Sequence, residues 1–533
     1  MASFGAALLT ADPSAAAEEA PSPDGALSYY RDIRPIFQAS CHGCHQPAKA
    51  KGKYIMTEFS ALVKGGDGGE PAIVPGKPDE SFLVEQITPH DGKAEMPPKD
   101  DPLAGPEIEK IRAWIAQGAA DDTPENAGQP YTMESPPKYE RLPVVTSLDY
   151  SPDGSLLAAS GFHEVILHRA DGSGIEARLV GLSERVESVR FSPDGKWLAV
   201  TGGSPGRMGE VQVWDVAKRE LDLSVTQTFD TLYGASWAPD GSKIAFGGAD
   251  TVLRAIDAKN GKEVLFQGAH DDWVFDTVWS VKGDFVVSVG RDMTAKLIEF
   301  ETARFVDNIT SITPKALKGG LAAVARHPER DELLVGGADG EPKVYRMQRL
   351  VKRVIGDDSN LIRKFPPMVG RIFAVDYAPD GKRIAAGSSL DGKGAVHLYS
   401  ADFDPALPDD IKGIFGKVIT SRNAGEVKKT EDYWTKDATQ TAALPMSAGI
   451  YALTFSPDGK TVAASGGDGI IRLIDAAEGK VRREFPAVPL EKAAANWRGS
   501  RALVRDDIHQ AARHDDHFAH RVAFEEGLHL LAG

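Results

Sequence analysis

Most of the chain alternates short apolar runs with a recurring polar turn. The turn reads Ser-Pro-Asp-Gly in its clearest form, and seven versions of it begin at Ser151, Ser192, Ala238, Ser280, His327, Ala378 and Ser456. Apolar runs of strand length stand on both sides of the turns, which is typical of antiparallel hairpins. Most versions are spaced by about 40 to 45 residues, the length of a four-stranded propeller blade. The pattern therefore predicts an all-β propeller of seven blades over residues 141–490.

A second polar position recurs within the repeats, ten residues after the third position of the turn. Aspartate occupies it at Asp250, Asp292, Asp339 and Asp468. An aspartate in a tight hairpin turn accepts hydrogen bonds from its own following backbone. We therefore expect these side chains to be structural rather than catalytic.

The repeats resemble the WD40 family. Trp214-Asp215 is the name-giving dipeptide, and Ala269-His270 is a loose form of the Gly-His element. The resemblance implies blades that close into a ring, with a central channel and two loop-lined faces. Such a platform usually binds a protein or another ligand, and the fold does not specify which.

Two segments depart from the repeat. Near residues 401–446 the interval between turns is longer and carries charged residues with Pro and Gly, which predicts an exposed insertion, either a partner contact or an unselective loop. After Leu490 the strand pattern stops, so residues 491–533 are expected to form an irregular or helical tail, with metal binding as the alternative. The tail contains His509, His514, His517, His520 and His529.

Helical spacing replaces strand alternation in the first part of the chain. Tyr30–Ala39 predicts a short helix in which Pro35 stands early enough to cost no essential donor. A second helix is predicted over Pro106–Gln117, with apolar residues on one face. Residues 26–121 therefore predict a small all-α domain, which a linker over 122–140 joins to the propeller.

The only two cysteines of the chain stand in the run Cys41-His42-Gly43-Cys44-His45. This C-x-x-C-H spacing is typical of covalent haem attachment, because two thiols form thioethers with the haem vinyl groups and the adjoining His45 ligates the iron. A zinc site would need a second ligand pair, and a thioredoxin-like site would need a surrounding βαβ pattern. The sequence shows neither, so we expect one covalently bound haem c per chain.

A sixth iron ligand is expected from a loop on the opposite side of the haem. Met96 offers a thioether next to Pro97 and Pro98, which stiffen the backbone. Three alternatives remain: Met96 as a core residue, His90 as the ligand, and an open sixth position. Met56 is expected to lie in the core.

The segment around the motif resembles the planctomycete-type cytochrome c domain. The runs that carry the resemblance are Asp32-Ile33-Arg34-Pro35-Ile36, Gly65-Gly66-Asp67-Gly68-Gly69, Ile73-Val74-Pro75-Gly76-Lys77-Pro78, Ser81, Glu95-Met96-Pro97-Pro98 and Trp114-Ile115 with Gly118-Ala119. The resemblance covers about residues 26–121 and implies a class I-like cytochrome fold. It also implies His45 as the proximal ligand and Met96 as the distal ligand.

Charge and composition exclude some classes of partner and bear on where the protein is located. The net charge of −16 argues against nucleic acid, and no apolar run reaches the roughly 20 residues of a transmembrane helix. Residues 1–25 are Ala-rich, with a cleavage-like stretch near Ala17, but lack a positive segment. They predict an atypical or truncated export signal or a disordered leader. Haem attachment to this motif implies a periplasmic or otherwise exported protein.

These observations predict an exported one-haem cytochrome that transfers single electrons to or from a redox partner protein, with the propeller as a docking platform. An oxidoreductase whose propeller holds a substrate or second cofactor is an alternative, and a haem-based sensor is another. The sequence points to no catalytic acid, base or nucleophile. An electron-transfer protein is therefore favoured over an enzyme with its own substrate, and the question stays open.

Overall fold

The computed structural model describes residues 26–46, 49–98, 102–123, 131–310, 319–354 and 358–491. The expected leader and the histidine-rich tail beyond Glu491 lie outside the described residues. The chain divides into two compact units, and the smaller one pairs Lys138–Arg141 with the segment that starts at Pro489. Within it, Tyr139 and Leu490 form a parallel bridge.

Short helices occupy the chain between Tyr29 and Ala116. They are a π-helical turn Tyr29–Ile33, 3-10 turns Lys51–Lys53 and Pro78–Glu80, α1 Arg34–Ser40, α2 Phe59–Lys64, α3 Phe82–Ile87 and α4 Gly105–Ala116. A two-residue hairpin, β1 His45–Gln46 and β2 Lys49–Ala50, follows α1. Ile33, Phe37 and Trp114 pack in a core of their own. The two expected helices are thus present, and α1 begins one residue before Pro35, where a missing N–H costs nothing.

Seven four-stranded antiparallel blades follow in the described residues. Blades 1 and 2 share one sheet, because the first part of the long strand β6 pairs with β5 and its last part pairs with β7. Blade 1 comprises β3 Leu148–Tyr150, β4 Leu156–Ser160, β5 Phe162–Arg169 and the first part of β6 Ile175–Phe191; blade 2, the rest of β6, β7 Trp197–Ser204, β8 Met208–Asp215 and β9 Glu220–Thr228. Blade 3 comprises β10 Leu232–Trp237, β11 Lys243–Gly248, β12 Leu253–Asp257 and β13 Glu263–Gln267; blade 4, β14 Val274–Trp279, β15 Phe285–Gly290, β16 Ala295–Glu299 and β17 Arg304–Asn308. Blade 5 comprises β18 Leu321–Arg326, β19 Glu332–Gly337, β20 Lys343–Arg346 and β21 Leu361–Lys364. Blade 6 comprises β22 Arg371–Tyr377, β23 Arg383–Leu390, β24 Lys393–Ser400 and β25 Thr439–Met446; blade 7, β26 Ile450–Phe455, β27 Thr461–Gly466, β28 Ile470–Asp475 and β29 Lys480–Pro486.

The first strands of the blades form a closed ring. Each packs beside the first strand of the next blade, and β26 of blade 7 packs beside β3 of blade 1. The Val145 N–H donates to the Gly466 carbonyl at 3.0 Å across this closure. The expected β-propeller is confirmed, because burying each blade between two neighbours leaves no sheet face unpaired.

The blades have two chemically different edges. We call the edge that holds the Ser-Pro-Asp-Gly turns the turn edge, and the edge where one blade passes to the next the rim edge. At the turn edge Gly154, Gly195 and Gly241 share a φ of +71°, which only glycine adopts without strain.

The recurring aspartates stand in the hairpins between second and third strands, at the rim edge. Asp292 accepts from the Thr294 N–H at 3.1 Å, and Asp250 pairs with Arg254 at 2.6 Å. In blade 4, His270 also bonds Asp292 at 3.0 Å and Ser288 at 2.7 Å. These side chains therefore hold turns together, as expected.

The insertion predicted over 401–446 is shorter and less exposed than the sequence indicates. Its last residues form the outer strand β25, and its earlier part folds into α5 Asp409–Phe415 and α6 Ala424–Thr435. Phe415 and Trp434 are buried against Leu361 of blade 5, to whose carbonyl the Trp434 Nε1–H donates at 3.2 Å. The segment was expected to be exposed because its charges are numerous, but those charges lie on the outer side of an amphipathic helix pair.

Candidate functional site

The Cys41–His45 run forms a single turn at the end of α1. The N–H groups of Cys44 and His45 both donate to the Cys41 carbonyl, at 3.1 Å each. Both cysteines are free thiols and half-buried. The turn therefore presents two unbonded sulfur atoms from positions three residues apart in one short segment.

His45 is oriented by a backbone contact on one side of its ring. Its Nδ1 lies 3.1 Å from the Lys51 carbonyl, to which it can only donate. The Nε2 atom then carries the lone pair, and this arrangement is the usual one for a metal-ligating imidazole. Tyr54 lies beside the ring at a centroid distance of 5.3 Å.

Two buried polar atoms next to the motif have no hydrogen-bond partner. They are Nε2 of His42 and Oε1 of Gln46, although the Gln46 Nε2 donates to the His42 carbonyl at 3.0 Å. Orphaned buried polar atoms are rare in folded proteins and often mark a missing group. Together with the free thiols and the oriented His45, they fit a bound prosthetic group such as haem c.

The other ligand candidates occupy different environments. Met96 stands on a loop after α3 with 37% of its surface exposed, and its N–H donates to the Gln86 carbonyl at 2.9 Å. Met56 lies in the helical core, as expected. His90 is exposed and pairs with Lys93 through the backbone. Cys41, Cys44 and His45 thus share one turn, whereas Met96 belongs to a separate loop.

The propeller touches the Cys41–His45 turn, which the sequence did not reveal. The Thr226 hydroxyl of β9 donates to the Gln38 carbonyl at 3.1 Å. A Cβ atom placed on Gly43 would lie 2.1 Å from the Ser224 carbonyl oxygen. Gly43 therefore lets the turn approach the outer strand of blade 2 at backbone distance.

The central channel is lined by charged side chains of the first strands. Asp149, Asp276 and Asp376 stand there with Arg190, and all four keep partial exposure. Each carboxylate accepts an N–H from the neighbouring blade: Asp149 at 2.7 Å, Asp276 at 3.0 Å and Asp376 at 2.7 Å. The carboxylates therefore link adjacent blades as well as lining the channel.

Burial raises the pKa of these carboxyl groups. The pKa of Asp149 rises to about 7 and those of Asp276 and Asp376 to about 6, with Arg190 acting in the opposite direction on all three. The Arg190 guanidinium thus lowers the pKa of carboxyl groups that belong to three different blades. The sequence signal for this site is an acidic residue inside an otherwise apolar first strand, which the turn-based reasoning passed over.

The described residues show no group of three or more His, Cys, Asp and Glu side chains arranged to hold a metal ion. Nor does the described part of the chain contain a helix long and apolar enough to cross a membrane.

Two family models match parts of the chain. The model described as planctomycete cytochrome C matches residues 41–100. The model described as WD domain, G-beta repeat, matches residues 177–215, 261–299 and 439–475. Three stretches of the propeller thus resemble WD repeats.

Several curated relatives match part of the chain. Eukaryotic translation initiation factor 3 subunit I of Emericella nidulans is 24% identical over 281 residues, covering 49% of this chain and 81% of that protein. Mouse coronin-7 is 28% identical over 38% of this chain and 23% of its own length. A ribosome biogenesis protein WDR12 homolog of Chlamydomonas reinhardtii is 30% identical over 26% of this chain and 34% of its own length.

The expectation that this protein is an electron-transfer cytochrome is wrong. Its relatives are WD-repeat proteins, and they point to a scaffold that binds other proteins rather than to haem electron transfer. The expected redox partner finds no support among them, whereas protein partners do. The motif at Cys41 led to the wrong role because it occupies a small part of the chain, and the propeller forms most of it.

Proposed function

We propose that this protein is a scaffold whose WD-repeat propeller binds partner proteins. The observation that carries the proposal is the closed ring of WD repeats, which turns seven weakly similar units into one rigid platform. The rim edge of this platform exposes large apolar side chains, led by Phe229 at 76% and Val369 at 73% exposure. Large apolar side chains that remain exposed on a loop-lined face are available to a partner protein.

The test is reconstitution of a complex from purified components. Proteins that co-purify with the full chain from its own host are identified, expressed and mixed with it, and the complex is measured by analytical ultracentrifugation. Phe229→Asp with Val369→Asp is expected to abolish binding, while Phe266→Asp on the outer strand β13, where Phe266 is 56% exposed, leaves it intact. Failure of every purified component to form a complex with the folded chain contradicts the scaffold role.

We also propose that Cys41 and Cys44 would hold one haem c covalently, with His45 and Met96 as the residues that would bind its iron. The free thiols on one turn, the oriented His45 ring and the match of residues 41–100 to a cytochrome model support this. A covalently held haem supplies an iron centre that accepts an imidazole. The Lys51 carbonyl fixes the His45 tautomer, and the outer strand β9 shields one side of the turn.

The haem proposal is tested on the full chain, produced in a host that matures c-type cytochromes. A pyridine haemochrome spectrum and the intact mass are expected to show one haem per chain, absent from the Cys41→Ser, Cys44→Ser double variant. Met96→Ala is expected to shift the haem absorption, while Met133→Leu, equally exposed at 37%, leaves it unchanged. Unmodified thiols in the folded, exported chain contradict the proposal.

Export is part of the same proposal, because attachment to this motif follows export in bacteria that use it. Cell fractionation is expected to place the haem-loaded chain outside the cytoplasm. A chain found only in the cytoplasm of its own host contradicts this location.

A further inference from the structure

A cavity of about 590 Å³ opens at the turn edge, where the turns of blades 4 and 5 meet the chain that follows β24. Three cationic side chains line it: Lys282, Arg330 and Arg346. Lys282 and Arg330 belong to the two turns that depart most from Ser-Pro-Asp-Gly, and they stand where the clearest turns have aspartate and glycine. The departures from the repeat therefore place cations at this cavity.

Arg346, at the end of β20, is the most buried of the three cations, with 8% of its surface exposed. Its Nη2 donates to the Pro405 carbonyl and, at 2.9 Å, to the Tyr433 hydroxyl of α6. These contacts fix the plane of the guanidinium, while its Nη1 has no hydrogen-bond partner in the described part of the chain. Arg346 is therefore held in one orientation with a donor unsatisfied.

Arg346 also lacks a carboxylate partner among the described residues. Glu332 lies opposite it in the register of β19 and β20, but the Glu332 carboxylate pairs with Arg330 at 3.0 Å. Arg363, which is 2% exposed, donates to the Asp404 carbonyl at 3.0 Å. Burial, and then the charge of nearby Arg346, lower the pKa of Arg363. Two buried positive charges without a paired anion are unfavourable, and a bound anion would offset them.

The buried polar atoms of the cavity that lack a partner are both donors. Four carboxylates also line it, and each accepts a hydrogen bond from this chain: Asp284 at 2.7 Å, Asp331 at 2.7 Å, Glu332 at 3.0 Å and Asp404 at 2.9 Å. By contrast, Nε of Arg330 and Nη1 of Arg346 find no acceptor within the described ranges. The group that would satisfy both is therefore an acceptor, and the two guanidinium charges favour an anionic one.

We propose that this cavity binds an oxyanion, the phosphate or carboxylate group of a small ligand, through Arg346 and Arg330, with Lys282 at its entrance. Guanidinium donors form charge-assisted hydrogen bonds with such groups, and their weak hydration favours pairing in a buried site. Lys282 is exposed and adds a positive charge where the ligand enters. The site does not involve Phe229 or Val369, so it stands or falls independently of partner binding at the rim edge.

The experiment titrates the full chain with inorganic phosphate and, separately, with succinate by calorimetry, while sodium chloride holds the ionic strength constant. At least one of the two anions is expected to bind saturably at one site per chain and to raise its melting temperature. Binding of phosphate alone assigns a phosphate ligand, and binding of succinate alone assigns a carboxylate. Binding of both supports the shared oxyanion chemistry.

Paired variants locate the site. Arg330→Gln with Lys282→Gln is expected to weaken anion binding at least tenfold, because two cationic donors are lost. Arg383→Gln with Lys460→Gln is the matched control, since these cations pair with Asp380 and Asp458 in the turns of blades 6 and 7 and their replacement removes the same charge. The control is expected to leave the affinity unchanged. Circular dichroism and thermal melting without anion establish that each variant is folded.

Arg346→Lys tests the buried donor itself. The variant keeps the positive charge but removes the Nη1 group, and it is expected to weaken anion binding about tenfold. Because Arg346 also holds Pro405 and Tyr433, its folding is checked first, and the Arg330 and Lys282 variant tests the site if Arg346→Lys does not fold.

Two results would overturn the inference. One is the absence of saturable binding of either anion to the folded chain at millimolar concentrations. The other is an equal loss of affinity in the Arg330 and Lys282 variant and in its control, which would show that only the overall charge attracts anions.

Discussion

The turn edge and the rim edge of the propeller are built from the same repeats but differ in what they leave unsatisfied. At the turn edge, Asp153 accepts hydrogen bonds from Ser151 and from the N–H of Ser155, so the polar groups of the turn bond one another. At the rim edge, bulges interrupt the first strands at Phe373 and Tyr451, which keep partial exposure, and Phe229 and Val369 remain exposed. One repeat thus satisfies the polar groups of its turn at one edge and leaves apolar side chains exposed at the other.

The largest expected effect comes from the buried network at the rim edge of blade 4. Asp292→Ala removes the acceptor of His270 and of the backbone N–H groups of Asp271 and Thr294. Leaving these donors without a partner, the buried His270 ring among them, is expected to lower the free energy of unfolding by about 3 kcal/mol. Urea denaturation measures it, with Asp271→Ala, at an exposed neighbour, as the control. An equal loss in both variants would show that the network contributes nothing specific.

The channel carboxylates should make stability depend on pH. Because the folded pKa of Asp149 is raised to about 7, its contribution to stability is full below the unfolded pKa of about 4 and is lost as pH rises through 7. Between pH 4 and pH 8 the unaltered chain is expected to lose about 2 kcal/mol relative to Asp149→Asn, a figure reduced for partial exposure.

Denaturation of both chains across this pH range measures the difference. His168 and His327, whose pKa values burial lowers to about 4, act in the opposite direction, but both chains contain them and their effect cancels. A difference that is constant with pH would contradict the assignment.

Glycine-to-alanine substitutions should have different effects on stability at the two edges. Gly241→Ala forces a side chain onto a φ of +71° at the turn edge, which is expected to cost about 1 kcal/mol. Gly268→Ala, on the connection between blades 3 and 4 at the rim edge, meets open space and is expected to leave stability unchanged or slightly raised. Thermal unfolding of both variants measures the difference, and equal melting temperatures would contradict the prediction.

The smallest effect on stability is expected at the exposed residues of the rim edge. Phe229→Ser should change the free energy of unfolding by no more than about 0.5 kcal/mol, because the side chain is already in water. The same variant should lose affinity for a reconstituted partner. A large loss of stability would show that Phe229 packs within the fold rather than serving a surface.

The parts of the fold that the sequence determined depend on contacts over a few residues. The turns at Ser151 and Ser192 were predictable because proline, aspartate and glycine satisfy their own backbone.

Tertiary structure alone decided which distant residues meet. Ring closure places Asp149 of blade 1, Asp276 of blade 4 and Asp376 of blade 6 around Arg190, and brings Phe373 against Tyr451. Tertiary contacts also bring Gly43 against β9 and pack the charged insertion onto blade 5. No local pattern encodes these contacts, because each joins residues that are far apart in the chain. The sequence determined the blades, and their assembly determined the channel.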